Sequence, residues 1–325
     1  MRKTIGAIAA LAVLAFAGTA SAQDYPNKPL TMIIPFAAGG PTDVLGRVMG
    51  QRMSEIMHQQ VIIENVGGAG GMTGSQRAAQ AAPDGYTFVL GTVGTHAQNQ
   101  TLYKKPLYNA ETDFAPVALI AQVPLVLIAR KDLPANTFQE FAAYVKANQA
   151  KMQFGSAGAG SATHLGCVLL NAALGVNIQH VPYRGTGPAM QDLTAGRIDY
   201  LCEIVTTALP QIQGGNVKPI AALSLDRSPV LPNLPTANES GLPKFEAYTW
   251  NAFFLPKGTP APIVKKLHDV TVEAMKSKNV HDRLEGLGAV LMPEDRATPE
   301  YLGKFVKSEI EKWAAPIKAS GAVVN

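Results

Sequence analysis

Short apolar stretches alternate along the chain with longer segments whose apolar residues recur every three to four positions, and this alternation predicts an α/β protein. Residues 29–36 read as a strand. Thr42 or Asp43 stands where it can cap a following helix, which carries Leu45, Val48, Met49, Met53 and Ile56 on one face. Residues 61–64 and 86–91 predict two further strands, with Pro83-Asp84-Gly85 turning the chain into the second. Residues 117–130 predict one long extended stretch, bent at Pro124, and a helix follows over 138–147. The pattern then restarts with a strand over 152–156, a small-residue loop over 157–160 and a helix over 161–174. Strands at 178–183, 198–203 and 217–223 enclose a helix near 188–194. Beyond the Pro-rich residues 229–235, residues 251–255 are apolar and extended. The remainder is helical over 262–276, 280–287 and 299–319.

The restart is also visible residue by residue. Residues 32–48 and 152–168, offset by 120, share Met, Ala, Gly, Leu, Gly and Val at six of seventeen columns. Each copy predicts a strand, a small-residue loop and a helix that begins near Ser or Thr. A helix N-terminus leaves backbone N–H groups unpaired and carries partial positive charge. A Gly-rich loop before it lets an anion approach the main chain closely. Two such units facing one another form a cleft for a small anion such as a carboxylate. The candidates in the first loop are Phe36, Ala38, Gly39, Gly40, Thr42 and Asp43. Those in the second are Ser156, Ala157, Gly158, Gly160, Ser161, Ala162, Thr163 and His164. Neither loop contains Arg or Lys, so main-chain amides and hydroxyls would hold the anion.

Other motifs end without a site. Gly67-Gly68-Ala69-Gly70-Gly71 lacks the GK[ST] ending of a phosphate loop, and Thr73 occupies the third glycine place of G-x-G-x-x-G, so it reads as a flexible turn leading into a helix. There is no G-x-S-x-G elbow and no H-E-x-x-H, and no Cys/His cluster has zinc spacing, so neither a metal nor a cofactor is called for. Ser161, His164 and Asp199 can be drawn as a triad, but their spacing does not support one.

Composition narrows the class. At 325 residues, with 47% hydrophobic and 16% charged residues, the chain is long and apolar enough for one large or two medium cores, which excludes a disordered polyelectrolyte. The net charge of +4 is spread without like-charge blocks, and aromatics are 7%, so a nucleic-acid surface is not expected. Arg2 and Lys3, the apolar residues 5–17, and Ala20-Ser21-Ala22 form a signal-peptide pattern over residues 1–22, predicting export to the periplasm. The run is short for a membrane anchor. In an oxidising compartment Cys167 and Cys202 are either a disulfide or two buried free thiols.

A set of ordered motifs over nearly the whole mature chain resembles the periplasmic solute-binding proteins of tripartite tricarboxylate transporters, the Bug family. They are Tyr25-Pro-Asn-Lys-Pro29, Ile34-Pro-Phe-Ala-Ala-Gly-Gly-Pro-Thr-Asp43, Glu64-Asn65 with residues 67–71, and Pro83-Asp-Gly-Tyr-Thr87. They continue with Thr95-His-Ala97 and Asn99, Gly155-Ser-Ala-Gly158, Gly160-Ser161, His164-Leu165 and Val181-Pro-Tyr-Arg-Gly185. Leu234-Pro-Thr236, Glu239 to Gly241, Trp250, Phe254 and residues 256–258 close the series. The resemblance implies a two-lobed type II periplasmic binding fold, the Venus flytrap, with a hinge of crossing strands. It places a ligand carboxylate between the two loops and implies two integral-membrane transporter subunits as partners. It also implies a Cys167–Cys202 bridge, and an acidic residue at Glu203 facing the distal end of the ligand. An ionised Glu203 would repel a second carboxylate and favour a distal amine, hydroxyl or amide. The alternative is a Glu203 turned to solvent or paired with Arg184. Thr92, His96, Tyr183, Glu203 and Trp250 complete the candidate set.

The expected organisation is a monomer with lobe 1 over residues 23–125 and 250–325, lobe 2 over 126–249, and a hinge through 123–128 and 248–252. The expected function is capture of a di- or tricarboxylate or an aromatic acid, without chemistry. A ligand-presenting sensor subunit and a secreted hydrolase are the alternatives.

Overall fold

The computed structural model describes residues 25–324, so the candidate leader lies outside the described residues. The chain begins with β1 (Leu30–Ile34), α1 (Pro41–Met57), β2 (Val61–Asn65), α2 (Met72–Ala79) and β3 (Thr87–Thr92). β1 pairs in parallel with β2 on one side and β3 on the other, and the helices supply the crossovers that parallel pairing requires. The glycine run at 67–71 forms a short 3-10 turn, Ala69–Gly71, that feeds α2. After β3 a single π-helical turn, Gly94–Gln98, runs into α3 (Asn99–Leu102), an element the apolar pattern did not predict.

β4 (Phe114–Arg130) joins two sheets. Its first part pairs antiparallel with β9 (Tyr248–Pro256), from Phe114↔Pro256 to Pro124↔Tyr248, and with β10 (Val290–Leu291) on its other edge. From Leu125 onward it pairs instead with β7 (Tyr200–Ile204) and β8 (Val217–Ala222). The predicted bend at Pro124 is therefore a change of sheet within one continuous strand. The second sheet is completed by β5 (Gln153–Ser156), parallel to β7, and β6 (Gln179–Pro182), parallel to β5. Three segments cross at the junction: Leu125 N–H donates to Ala247 O, Leu223 N–H to Leu125 O and Ala247 N–H to Leu223 O, each within 3.1 Å.

The helices of the second half are α4 (Phe138–Asn148), α5 (Ala162–Leu174), α6 (Thr186–Thr194) and α7 (Val205–Gln213). Of these the apolar pattern did not predict α7, because its first turn has no capping side chain and Pro210 lies inside it. α8 (Ala261–Lys276), α9 (Lys278–Gly286) and α10 (Pro299–Ala319) return to the first sheet. The two copies of the sequence echo are β1–α1 and β5–α5, one at each sheet.

Apolar burial is continuous from one sheet to the other, with Phe88 and Phe253 edge-to-face at 5.1 Å inside the first. A disulfide joins Cys167 on α5 to Cys202 on β7, with a Cα–Cα separation of 5.4 Å. Of the two open alternatives for the thiols, this is the bridge.

Candidate functional site

The two strand–loop–helix units face each other. The cap of α1 is Gly40, with Pro41 as its first residue, not Thr42 or Asp43 as predicted. Proline has no N–H to lose and its fixed φ suits the first helical position. Asp43 has a different task. Its carboxylate accepts from Gly39 N–H (3.0 Å), Arg47 Nε (2.9 Å) and Asn65 Nδ2 (2.9 Å), and Asn65 also donates to Phe36 O. Burial alone would raise its pKa, but the donors outweigh it, led by Arg47, and hold the carboxyl below its ordinary value. Asp43 thus shapes the first loop from behind.

In the second unit Ser161 caps α5, its Oγ accepting from His164 N–H and donating to Gly158 O at 2.7 Å. Thr163 Oγ1 accepts from Ala157 N–H at 3.0 Å. Ser156 Oγ lies 2.6 Å from His180 Nε2 and accepts from Gly158 N–H. These bonds satisfy the turn internally and leave its main chain facing the first unit.

Between the units lies a small, half-open cavity. Phe36, Gly40, Pro41 and Thr42 line it from the first unit, and Ala157, Ser161, Ala162 and Thr163 from the second. Thr92 and Thr249, at the ends of β3 and β9, form its floor, and Thr186 and Ile204 close it. Pro41, Thr186, Ile204 and Thr249 are additions to the predicted set. Thr186 opens α6 after Gly185, a strand-to-helix turn of the kind recognised elsewhere in the sequence. Ile204 is the cap of α7, and nothing in its side chain signals a site. Four helix N-termini, those of α1, α5, α6 and α7, therefore meet at one small cavity. Among the described residues no charged side chain lines it.

Several predicted residues lie elsewhere. Ala38 and Gly39 line an outer groove beside the cavity. Gly158 and Gly160 form the turn behind Ser161. His164 Nδ1 accepts from Gly160 N–H at 3.2 Å, and its ring packs against His180 at 4.3 Å, away from the cavity. Burial, with a contribution from His180, pushes the His164 pKa down to about 3, so this neutral acceptor persists across ordinary pH. His96 is wholly buried, stacked on Phe254 at 4.0 Å, with Nδ1 on Thr95 Oγ1. Tyr183 donates to Asp192 at 2.6 Å. Trp250 is fully buried, and its Nε1–H donates to Glu309 of α10, which also accepts from Tyr248 and Trp313. Trp250 therefore anchors the crossing strand to the C-terminal helix.

Glu203 is neither turned to solvent nor paired with Arg184. It is fully buried, and its Oε1 accepts from Thr186 (3.0 Å) and Thr207 (2.7 Å). It stands one residue behind the cavity wall, in contact with the lining through Thr186. Burial pushes its pKa up to about 7, against the lowering effect of the two hydroxyls. The expectation of a fixed negative charge repelling a second carboxylate is thus corrected: desolvation favours the neutral carboxyl. Ser161, His164 and Asp199 do not form a triad, since Asp199 is taken by Arg130 Nε and Gln153 N–H.

A family model described as Tripartite tricarboxylate transporter family receptor matches residues 45–322. The chain belongs to this family. It is 43% identical over 303 residues to the UPF0065 protein of the TAR-I ttuE-ttuC' intergenic region of Agrobacterium vitis, covering 93% of this chain and 87% of that one. Among solved structures it is similar to the periplasmic binding protein BugD, with TM-score 0.89, 42% identity, and 92% and 99% of the two chains covered. It is also similar to MatC (Rpa3494) from Rhodopseudomonas palustris with bound malate, with TM-score 0.88, 40% identity, and 90% and 100% covered. The receptor is thus a Bug-type solute-binding protein with a two-lobed type II binding fold. Among its described residues no helix is long and apolar enough to cross a membrane.

Proposed function

We propose that this receptor is exported by residues 1–22, captures a small carboxylate between its two lobes and delivers it to two integral-membrane subunits of a tripartite transporter. It would act as a monomer and leave the ligand unchanged. The observation that carries this reading is the convergence of four helix N-termini on one cavity without a lining cation among the described residues. Partial positive charge from oriented amides stabilises an anion by up to ~2 kcal/mol per terminus in partly buried geometry, and needs no buried counter-ion. The hydroxyls of Thr42, Thr92, Ser161 and Thr186 would orient the ligand. Burial raises the Glu203 pKa to about 7, so the carboxyl behind Thr186 is charged less than an ordinary glutamate and the repulsion that a second carboxylate would meet is reduced, which favours dicarboxylates of about the size of malate. Lobes over 23–125 with 250–325 and over 126–249, hinged at 123–128 and 248–252, agree with the change of sheet in β4 between Pro124 and Leu125.

The test is a thermal-shift screen of the mature chain against mono-, di-, tri- and aromatic carboxylates and neutral amides, with mass spectrometry of recovered ligand. A ligand at one hundred times its Kd stabilises by about 2.7 kcal/mol. A dicarboxylate recovered unchanged is the expected result. Hits confined to neutral amides would overturn the carboxylate reading, and a recovered product would overturn the non-enzymatic one.

A further inference from the structure

Outside the cavity the two halves touch through hydrogen bonds to main-chain carbonyls. Ala37 N–H donates to Arg184 O at 2.9 Å, and Tyr103 Oη–H donates to Ala159 O at 2.8 Å. Gly94, the first residue of the π-turn after β3, faces the loop before α5. A Cβ on Gly94 would lie 2.8 Å from Gly160 O, 3.1 Å from Ala162 N and 3.2 Å from Ser161 Cα. All three atoms belong to the other half, so the space is denied only when the halves are together. A Cβ on Gly160 would in turn lie 2.0 Å from Oδ1 of Asn99. Asn99 is fully buried, and neither Oδ1 nor Nδ2 has a hydrogen-bond partner among the described residues. Gly94 and Asn99 are absent from the cavity lining.

We propose that Gly94 and Asn99 set the closing equilibrium of this receptor from outside the ligand cavity. Gly94 permits closure because it carries no side chain. Asn99 opposes closure, because the loop around Gly160 strips water from its amide and returns no protein partner. Closure therefore depends on what the ligand adds, and the unliganded receptor rests open. The response to malate rests on the proposed carboxylate site, whereas closing without ligand rests only on the two lobes moving apart.

The two parts separate experimentally. Spin labels at the exposed positions Lys105 and Lys146, one in each half, report the interlobe distance of the intact mature chain without ligand. The wild type should be predominantly open. Asn99→Leu, with Asn99→Ala as a second variant, should raise the closed-to-open ratio about tenfold, the scale set by leaving a buried amide unpaired. Gly94→Ala should abolish the closed population in the absence and presence of about 10 mM malate, a concentration well above the Kd of an ordinary small-ligand site. Its melting temperature should be unchanged or raised, since Gly94 does not need positive φ and alanine is the better helix former. A closed unliganded wild type, or an Asn99 variant that closes less than wild type, would show that the amide is satisfied on closing and overturn its role. A Gly94→Ala protein that reaches the closed distance overturns the steric part. Should malate fail to close the wild type while the Asn99 variants close spontaneously, the ligand assignment fails and the closing mechanism stands.

Discussion

Glu203→Gln isolates the energetic consequence of burying a carboxyl behind the cavity wall. In the unfolded chain the group ionises at an ordinary 4.5, and in the folded protein burial moves this to about 7. The folded state holds its proton more tightly than the unfolded state. The stabilising contribution is therefore complete below pH 4.5 and is lost as pH rises through 7. Between about pH 5 and pH 8 the loss is about 2 to 3 kcal/mol from this one group. For a chain of this length that is roughly 4 °C in melting temperature. Glutamine keeps an acceptor for Thr186 and Thr207 and cannot ionise, so the variant should lose this component of the pH dependence. Urea denaturation of both proteins at the two ends of that range gives the difference of differences directly. Equal losses in the wild type and the variant would refute the reasoning, because the carboxyl would then ionise as freely inside the protein as outside. In the same range, wild-type affinity for a dicarboxylate should weaken as pH rises above about 7, and the variant's should not.

Further expectations follow from single contacts. Thr186→Val removes a cavity hydroxyl and the donor to Glu203 together, and should weaken carboxylate binding about tenfold, read by calorimetry. Cys202→Ser opens a bridge spanning 35 residues, which the loop-closure model values at about 4 kcal/mol. The melting temperature should then drop by roughly 5–10 °C. Asp43→Asn weakens the bonds that hold Gly39, Arg47 and Asn65 and should cost about 1–2 kcal/mol at neutral pH. Because the Asp43 pKa is depressed on folding, its contribution is present above the unfolded value and lost as pH falls through the folded one. The denaturation curves of the wild type and the Asp43→Asn variant should converge in acid.

Much of the architecture was legible because periodicity reports burial. The strand β1 and the helices α5, α8 and α10 each carry an apolar face long enough to be read from spacing alone. The two loops of the site were legible for a local reason: glycine and hydroxyl residues between a strand and a helix mark a turn whose amides are free. His96, Tyr183 and Trp250 entered the candidate set beside the family resemblance and not from the loops, and none of them lines the cavity: His96 and Trp250 are buried in the core and Tyr183 donates to Asp192. Whether such a side chain meets ligand depends on which way its strand or turn faces, and sequence spacing does not contain that.

The order of residues along the chain was thus enough for the alternation of elements, the repeated strand–loop–helix unit, the lack of Arg and Lys in its two loops and the family. Folding in three dimensions was needed to show that β4 changes sheet at Leu125, and that Thr186 and Ile204 bring two more helix ends to the cavity. It was needed equally to show that Glu203 is dry and that Gly94 and Asn99 sit on the seam. Each of these is a contact between residues distant in the chain. Local propensity is encoded in neighbours along the sequence, whereas desolvation and close approach are set by neighbours in space.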